Sequence, residues 1–304
     1  MNLKDWKDKS KNENAHYSFA FIDEGAKREI RRKILKAIAI PGYQVPFGSR
    51  DMPLARGWGT GGIQVTLALI GPDEILKVID QGADDSVNAV NIKKFVSKVT
   101  GAKLTEDTLE ATLVQTRHRI PEEHMREGQI LVLQVPIPEA LRDVEASERE
   151  TRRMHAEADY SAIWLHLYEN IVRFKEITIG SRYPVMVNHR YIMDPSPIPR
   201  WDNPKLHMSA NLYLFGAGRE KRIYAIPPYT SVVCLEFEDH RFRVEDFGGA
   251  VCQRCGSAAT FLDEMIADNS GRRRFVCSDT SFCTKQVELN ANREHPLRAA
   301  GTGD

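Results

Sequence analysis

No apolar run in this chain approaches the roughly 18 residues that a membrane-spanning helix needs. The amino-terminal stretch MNLKDWKDKSKNENAHYSF also lacks the apolar centre of a secretory signal, so the sequence reads as cytoplasmic and not membrane-bound. A charge of one sign is missing as well: Lys plus Arg and Asp plus Glu both number 42, and the net charge is +0. Without a global basic field, wholesale nucleic-acid binding is not expected, and any anion must be held locally. Cysteine is scarce, with five in 304 residues. That number is too small for a disulfide framework, and in a reducing compartment clustered thiols point to metal or redox chemistry.

What is present is a globular composition, 42% hydrophobic and 28% charged, long enough for one large domain or two ordinary ones. From Asp23 to Ile38, Ile30, Ile34, Ala37 and Ile38 recur at helical spacing with basic residues between them, predicting an amphipathic helix that stops before Pro41. The next 26 residues, AIPGYQVPFGSRDMPLARGWGTGGIQ, hold three prolines and six glycines and predict a long irregular segment. A short helix over 72–81, opened by Gly71-Pro72 and closed by Gly82, and a second helix over 85–99 ended by Gly101 are expected next. ATLVQT (111–116) and QILVLQV (129–135) read as strands, and 147–175 as one long helix whose apolar and aromatic stripe belongs to core or to a partner surface. YPVMVNHRYIM reads as a hairpin turning at Asn188-His189. Elements of both kinds without a regular βαβ cadence argue for α+β: a central mixed sheet with flanking helices, a helical and hairpin insertion, and a C-terminal cysteine-rich metal-binding module. The expected layout is a polar tail over 1–15, core over 16–139 and 206–248, insertion over 140–205, cysteine module over 249–290 and a second tail over 291–304.

Chemistry concentrates in CQRCGSAATFLDEMIADNSGRRRFVCSDTSFC. Cys252 and Cys255 form a Cys-x2-Cys knuckle that lets two thiolates meet one metal from a tight turn, and Cys277 and Cys283 return after a hairpin-sized interval, as in a zinc ribbon. The second pair is spaced x5 where a ribbon has x2. Three thiolates holding an iron-sulfur cluster, with Cys283 left as a reactive thiol, therefore remains an alternative to structural zinc. Cys234, in an apolar run, reads as a packing residue. The glycine-rich segment 57–62 reads either as an anion-binding turn or as a plain loop. Arg117 and His118 at the end of a predicted strand, and Arg219, Lys221 and Arg222 after a glycine pair, are candidates for gripping phosphate, each against the alternative of a solvated charged turn.

The segments AIPGYQVPFG, GWGTGGIQ, KVIDQGADD, QTRHRIP, DPSPIP, FGAGREKRIYAIPP and the four-cysteine stretch, in order from Tyr17 to Gln286, together resemble the J-subunit family of carbon-phosphorus lyase. The resemblance implies a radical S-adenosylmethionine enzyme with an atypical cysteine pattern. Cys252, Cys255 and Cys277 would ligate a [4Fe-4S] cluster that binds S-adenosylmethionine, Cys283 would be the catalytic thiol, and Gly42 would become a radical. The implied reaction converts α-D-ribose 1-methylphosphonate 5-phosphate into the 1,2-cyclic phosphate 5-phosphate with release of methane. Zinc held by all four thiolates would replace the cluster after loss to oxygen. The implied partners are the G, H and I subunits, with an ABC-type K subunit docking on the 140–205 insertion. A noncatalytic zinc-ribbon scaffold is the competing expectation from a different class, and RNA binding through the basic helix is a weaker one.

Overall fold

The computed structural model describes residues 22–48, 61–135, 139–177, 183–195, 198–218, 220–266 and 271–294. The predicted tail over 1–15, residues 295–304 of the second tail, most of the 57–62 glycine segment and Arg219 lie outside them, whereas 291–294, expected in that second tail, are helical.

Helix α1 (Glu24–Ala39) starts where expected, because the Asp23 side chain accepts from the Ala26 amide at 2.7 Å, and it buries Ile30, Ile34 and Ala37. Strand β1 (Val45–Pro46) follows, then helix α2 (Gly62–Leu69), buried over nearly all its length. Gly61, at φ 101°, and Gly216 face each other so closely that a Cβ on Gly216 would stand 2.5 Å from the Gly61 carbonyl carbon. Where they are described, these glycines therefore seat a helix against a strand, which is a packing role.

The expected short helix over 72–81 is instead strand β2 (Ile75–Asp80). Its neighbours bury it on both faces, so its sequence carries no alternation, and a six-residue stretch with four apolar residues between Gly-Pro and Gly suits a central strand as well as a helix turn. Helix α3 (Val87–Thr100) ends as expected on Gly101 in the left-handed conformation. Strands β3 (Lys103–Leu104), β4 (Leu113–Arg117) and β5 (Ile130–Gln134) follow. The helix expected over 147–175 is two helices, α4 (Glu148–Glu157) and α5 (Ser161–Phe174). Ala158 breaks them at φ 56°, and the Asp159 carboxylate receives the Ser161 amide at 3.1 Å.

Strands β6 (Val185–Val187) and β7 (Tyr191–Met193) form the expected hairpin, with Asn188 and His189 both at positive φ. β8 (Leu212–Ala217), β9 (Arg222–Ile226) and β10 (Val232–Cys234) complete the body. Among the described residues the large sheet runs β1-β9-β8-β5-β4-β2-β3; β3, β2, β4, β5 and β8 are mutually parallel, while β9 and β1 run antiparallel to their neighbours. This is the mixed sheet of an α+β fold. Alternate residues part to its two faces: Leu76, Val78, Val132, Leu214 and Ala225 pack under the helices, while Ile79, Leu131, Leu133, Phe215 and Tyr224 pack toward β6, β7 and β10. A third apolar cluster joins Leu141, Tyr160, Ile163, Leu167 and Ile171 to Leu235, with Phe237 and Phe242 packed on it. Cys234 is half-buried where the second and third clusters meet, and burial raises its thiol to about 12, as befits an inert packing residue.

The parallel strands end together, so Asp80, Arg117, Gln134 and Ala217 line one edge of the sheet. The cysteine module docks on this edge: the hairpin β11 (Leu262–Ile266) and β12 (Arg273–Cys277), followed by helix α6 (Thr280–Glu294).

Candidate functional site

The knuckle at Cys252–Cys255 is a tight turn in which the Gly256 amide donates to the Cys252 carbonyl at 2.8 Å and Gly256 takes φ 73°. The hairpin carries the chain back so that Cys277, paired with Leu262, ends β12 beside the knuckle. The x5 interval then has a simple cause: the fourth thiol sits on a helix, with no second knuckle. Asp279 caps that helix by accepting from the Phe282 amide at 2.9 Å and the Ser281 hydroxyl at 3.0 Å, and the first turn carries Cys283 inward.

All four thiols are buried, and their sulfurs lie within 4.8 Å of one another. Cys252 Sγ is 3.7 Å from Cys283 Sγ, and Cys255 Sγ is 3.4 Å from Cys277 Sγ. Burial works against ionising Cys252, but backbone amides of Cys255, Cys277 and Arg254 outweigh it and lower the thiol to about 6. Burial raises Cys277, against a hydrogen bond from Thr260, and raises Cys283 to about 12. One ready thiolate beside Cys277 and Cys283, which must give up protons, is a donor set suited to a cation or a metal-sulfur group.

The module is fastened to the sheet edge by polar contacts that the sequence does not announce. Ser278 Oγ donates to the Gln81 carbonyl at 3.0 Å, and the Asp84 amide donates to Thr280 Oγ1 at 3.1 Å. Lys77, wholly buried in β2, reaches Ser281 Oγ at 2.8 Å and Asp84 at 3.2 Å. Arg119 bonds Asp202 at 2.8 Å and pairs with Glu122, while its guanidinium lies 4.5 Å from the centre of the Phe261 ring in the module. Glu122 and Asp279 close the joint, the Glu122 amide donating to Asp279 at 2.8 Å. A buried Lys in an apolar strand and Arg and Asp placed 83 residues apart leave no local pattern, so these residues were not foreseen.

Gly42 lies elsewhere on the sheet. It is buried at φ 78°, its amide donates to the Ala225 carbonyl on β9 at 3.0 Å, and a Cβ there would stand 2.8 Å from Val187 Cβ and 3.1 Å from Tyr191 Cβ. The module docks beside β2, four strand spacings from β9, which is about 19 Å of lateral separation. Gly42 and Cys283 are thus not brought together.

The phosphate candidates also fall in separate places. Arg117 grips Asp80 through two bonds of 2.7 and 3.0 Å at the β2–β4 edge, and next to it His118 adopts φ 77°. Burial lowers the His118 pKa, Arg117 adds to the shift and Asp80 opposes it. Arg222 opens β9 on the Gly42 side and pairs with Glu148 at 2.6 Å, while the neighbouring Lys221 carbonyl receives the Phe47 amide at 3.1 Å.

A family model described as "Phosphonate metabolism protein PhnJ" matches residues 15–289. An alpha-D-ribose 1-methylphosphonate 5-phosphate C-P-lyase of Rhizobium meliloti (strain 1021) is 60% identical over 272 residues, covering 90% of this chain and 91% of that protein. An alpha-D-ribose 1-methylphosphonate 5-phosphate C-P lyase of Escherichia coli (strain K12) is 58% identical over 272 residues, covering 90% of this chain and 96% of its counterpart.

Proposed function

The chain belongs to the PhnJ family of phosphonate metabolism proteins, and from that premise we propose that it cleaves the carbon-phosphorus bond of α-D-ribose 1-methylphosphonate 5-phosphate as a cytoplasmic radical S-adenosylmethionine lyase. The observation that carries this reading is the buried four-thiol cluster at the strand-end edge, in a chain whose relatives bear that substrate in their names. An alkyl-phosphorus bond offers hydrolysis no leaving group, so one-electron chemistry is required. Cys252, Cys255 and Cys277 would hold a [4Fe-4S] cluster, which would supply the electron for reductive cleavage of S-adenosylmethionine.

The remaining work falls to the chain. Gly42 can lose an α-hydrogen because flanking amides delocalise the unpaired electron, and its burial shields the product from solvent. Cys283 suits the relay: hydrogen exchange between carbon and sulfur is nearly balanced, so a Gly42 radical can take the S–H hydrogen, and the resulting sulfur radical attacking phosphorus expels a methyl radical, which becomes methane by taking a hydrogen atom from the Gly42 α-carbon. The ribose 2-hydroxyl then displaces the sulfur and closes the cyclic phosphate. Partners expected in this reading are the G, H and I subunits and an ABC-type K subunit. The exposed Leu165, Val172 and Phe174 of α5 are the apolar surface offered to the K subunit.

A noncatalytic zinc-ribbon scaffold is the second reading, favoured by one observation. Four thiolates around one zinc stand about 3.8 Å apart, close to the spacing here, whereas thiolates around a cubane cluster stand roughly 6.5 Å apart. Anaerobic reconstitution with iron and sulfide, reduction and addition of S-adenosylmethionine separates the two. The radical reading expects 5'-deoxyadenosine from wild type and Cys283→Ala but none from Cys252→Ala. A protein with a demonstrated cluster spectrum and no deoxyadenosine would hand the site to zinc.

A further inference from the structure

A cavity of about 340 Å³ opens beside the glycine loop, walled by Tyr43, Gln44, Glu139, His155, Tyr191 and Arg222. Tyr43 and Gln44 directly follow Gly42, and Tyr191 is one of the two side chains against which a Cβ at Gly42 would collide. Its size suits a sugar phosphate. Two features of its lining select the ligand. Arg222 and Arg152 both line it, and both guanidiniums spend a bond on the same atom, Glu148 Oε1, each at 2.6 Å. Two cations sharing one carboxylate oxygen leave a net positive charge and unspent donors, and Glu148 itself is half exposed and can swing away. A phosphate or phosphonate dianion brings three acceptor oxygens where Glu148 engages both arginines through one of its two.

The opposite wall is polar and fixed. Glu139 is buried and receives Gln44 Nε2 at 2.5 Å and His155 Nε2 at 3.0 Å, while His155 Nδ1 lies 2.9 Å from the Tyr160 hydroxyl. Amide, carboxylate and imidazole groups locked by mutual bonds are what hydroxyl recognition requires, and Tyr43 and Tyr191, which line the cavity in an edge-to-face pair, supply its apolar side.

We propose that this cavity binds a phosphorylated ribose, its anionic group on Arg152 and Arg222 in place of Glu148 and its hydroxyls toward Glu139 and Gln44. The assignment rests on the substrate reading above and adds to it a site, placed next to Gly42 and away from the thiols.

The test is calorimetric titration of the cluster-free full-length chain with ribose 5-phosphate, and with ribose as the neutral control. Wild type binds the phosphate ester and not ribose. Arg222→Ala and Arg152→Ala each weaken binding on the order of tenfold, the loss of one charged contact, whereas Glu148→Gln tightens it by removing the competing anion. If Arg222→Ala fails to fold, Glu148→Gln decides alone, because a merely structural ion pair predicts no gain. Unchanged affinity in Glu148→Gln, or a loss confined to Arg117→Ala at the other end of the edge, overturns the assignment. Binding is measured without the cluster, so a positive result beside absent deoxyadenosine keeps the cavity and removes the radical chemistry. Turnover with unaltered KM in Arg222→Ala does the reverse.

Discussion

Cys252 Sγ and Cys283 Sγ lie 3.7 Å apart, so the proposed cluster ligand and the proposed catalytic thiol touch. In this arrangement a single tetrahedral ion takes both, and no thiol is left over. Cys283→Ala should therefore lower zinc affinity by at least tenfold while leaving the iron content of the reconstituted protein intact. Metal analysis of the two preparations side by side checks it; equal losses of zinc and iron would make Cys283 a ligand in both states.

Gly42→Ala tests two roles at once and needs a partner to separate them. Its Cβ would meet Val187 at 2.8 Å, and its φ of 78° strains any L residue. The substitution should cost about 1–3 kcal/mol by thermal or urea unfolding. Gly42→Ala combined with Val187→Gly removes the Cβ that makes the 2.8 Å contact, so the two stability losses should be less than additive. If Gly42 carries a radical, methane formation stays absent in the double variant; its recovery would reduce Gly42 to a turn residue.

Asp202 is fully buried and is met by Arg119 at 2.8 Å, Lys205 at 2.8 Å and the Ile120 amide at 2.7 Å. Asp202→Ala leaves Arg119 and Lys205 to share the carboxylate of Glu122 and should cost about 3–5 kcal/mol. Because Arg119 also faces Phe261, hydrogen exchange should quicken in the cysteine hairpin as well as around residue 202.

His118 should make stability depend on pH in the acid direction. Burial holds its pKa below the ordinary 6.5, so the unfolded chain takes the proton first. Its contribution is complete above 6.5 and is lost as pH falls through the folded value. His118→Asn, which tolerates the positive φ, should flatten that part of the difference between urea midpoints measured from pH 8 to 5. Parallel slopes for the two proteins would count against it.

Removing the metal should unravel the module and spare the sheet. The four cysteines with Leu262 form a cluster of their own, separate from the apolar clusters around the large sheet. After chelation, hydrogen exchange should rise in 250–290 while β4, β5 and β8 stay protected.

Local rules were enough for α1 with its Asp23 cap, α3 with its Gly101 stop, the Asn188-His189 turn and the gathering of four cysteines. They failed where tertiary context decides. β2 is buried on both faces and therefore lost the alternation that marks a strand. Ala158 breaks a helix without a Gly or Pro to signal it. The x5 spacing is odd for a ribbon until Cys283 is seen on a helix. No property of a sequence read locally could pair Arg119 with Asp202 or bring Arg152 and Arg222 to one carboxylate.

Hydrogen passes between two atoms only when they stand about 3–3.5 Å apart, yet the strand order leaves Gly42 and Cys283 several times farther from each other. Sheets do not compress, so no side-chain rotation closes such a gap. A radical parked at Gly42 would accordingly be quarantined from the sulfur that would spend it. Turnover would have to begin with the displacement of a whole unit, and whatever drives that displacement would hold the timing of the reaction.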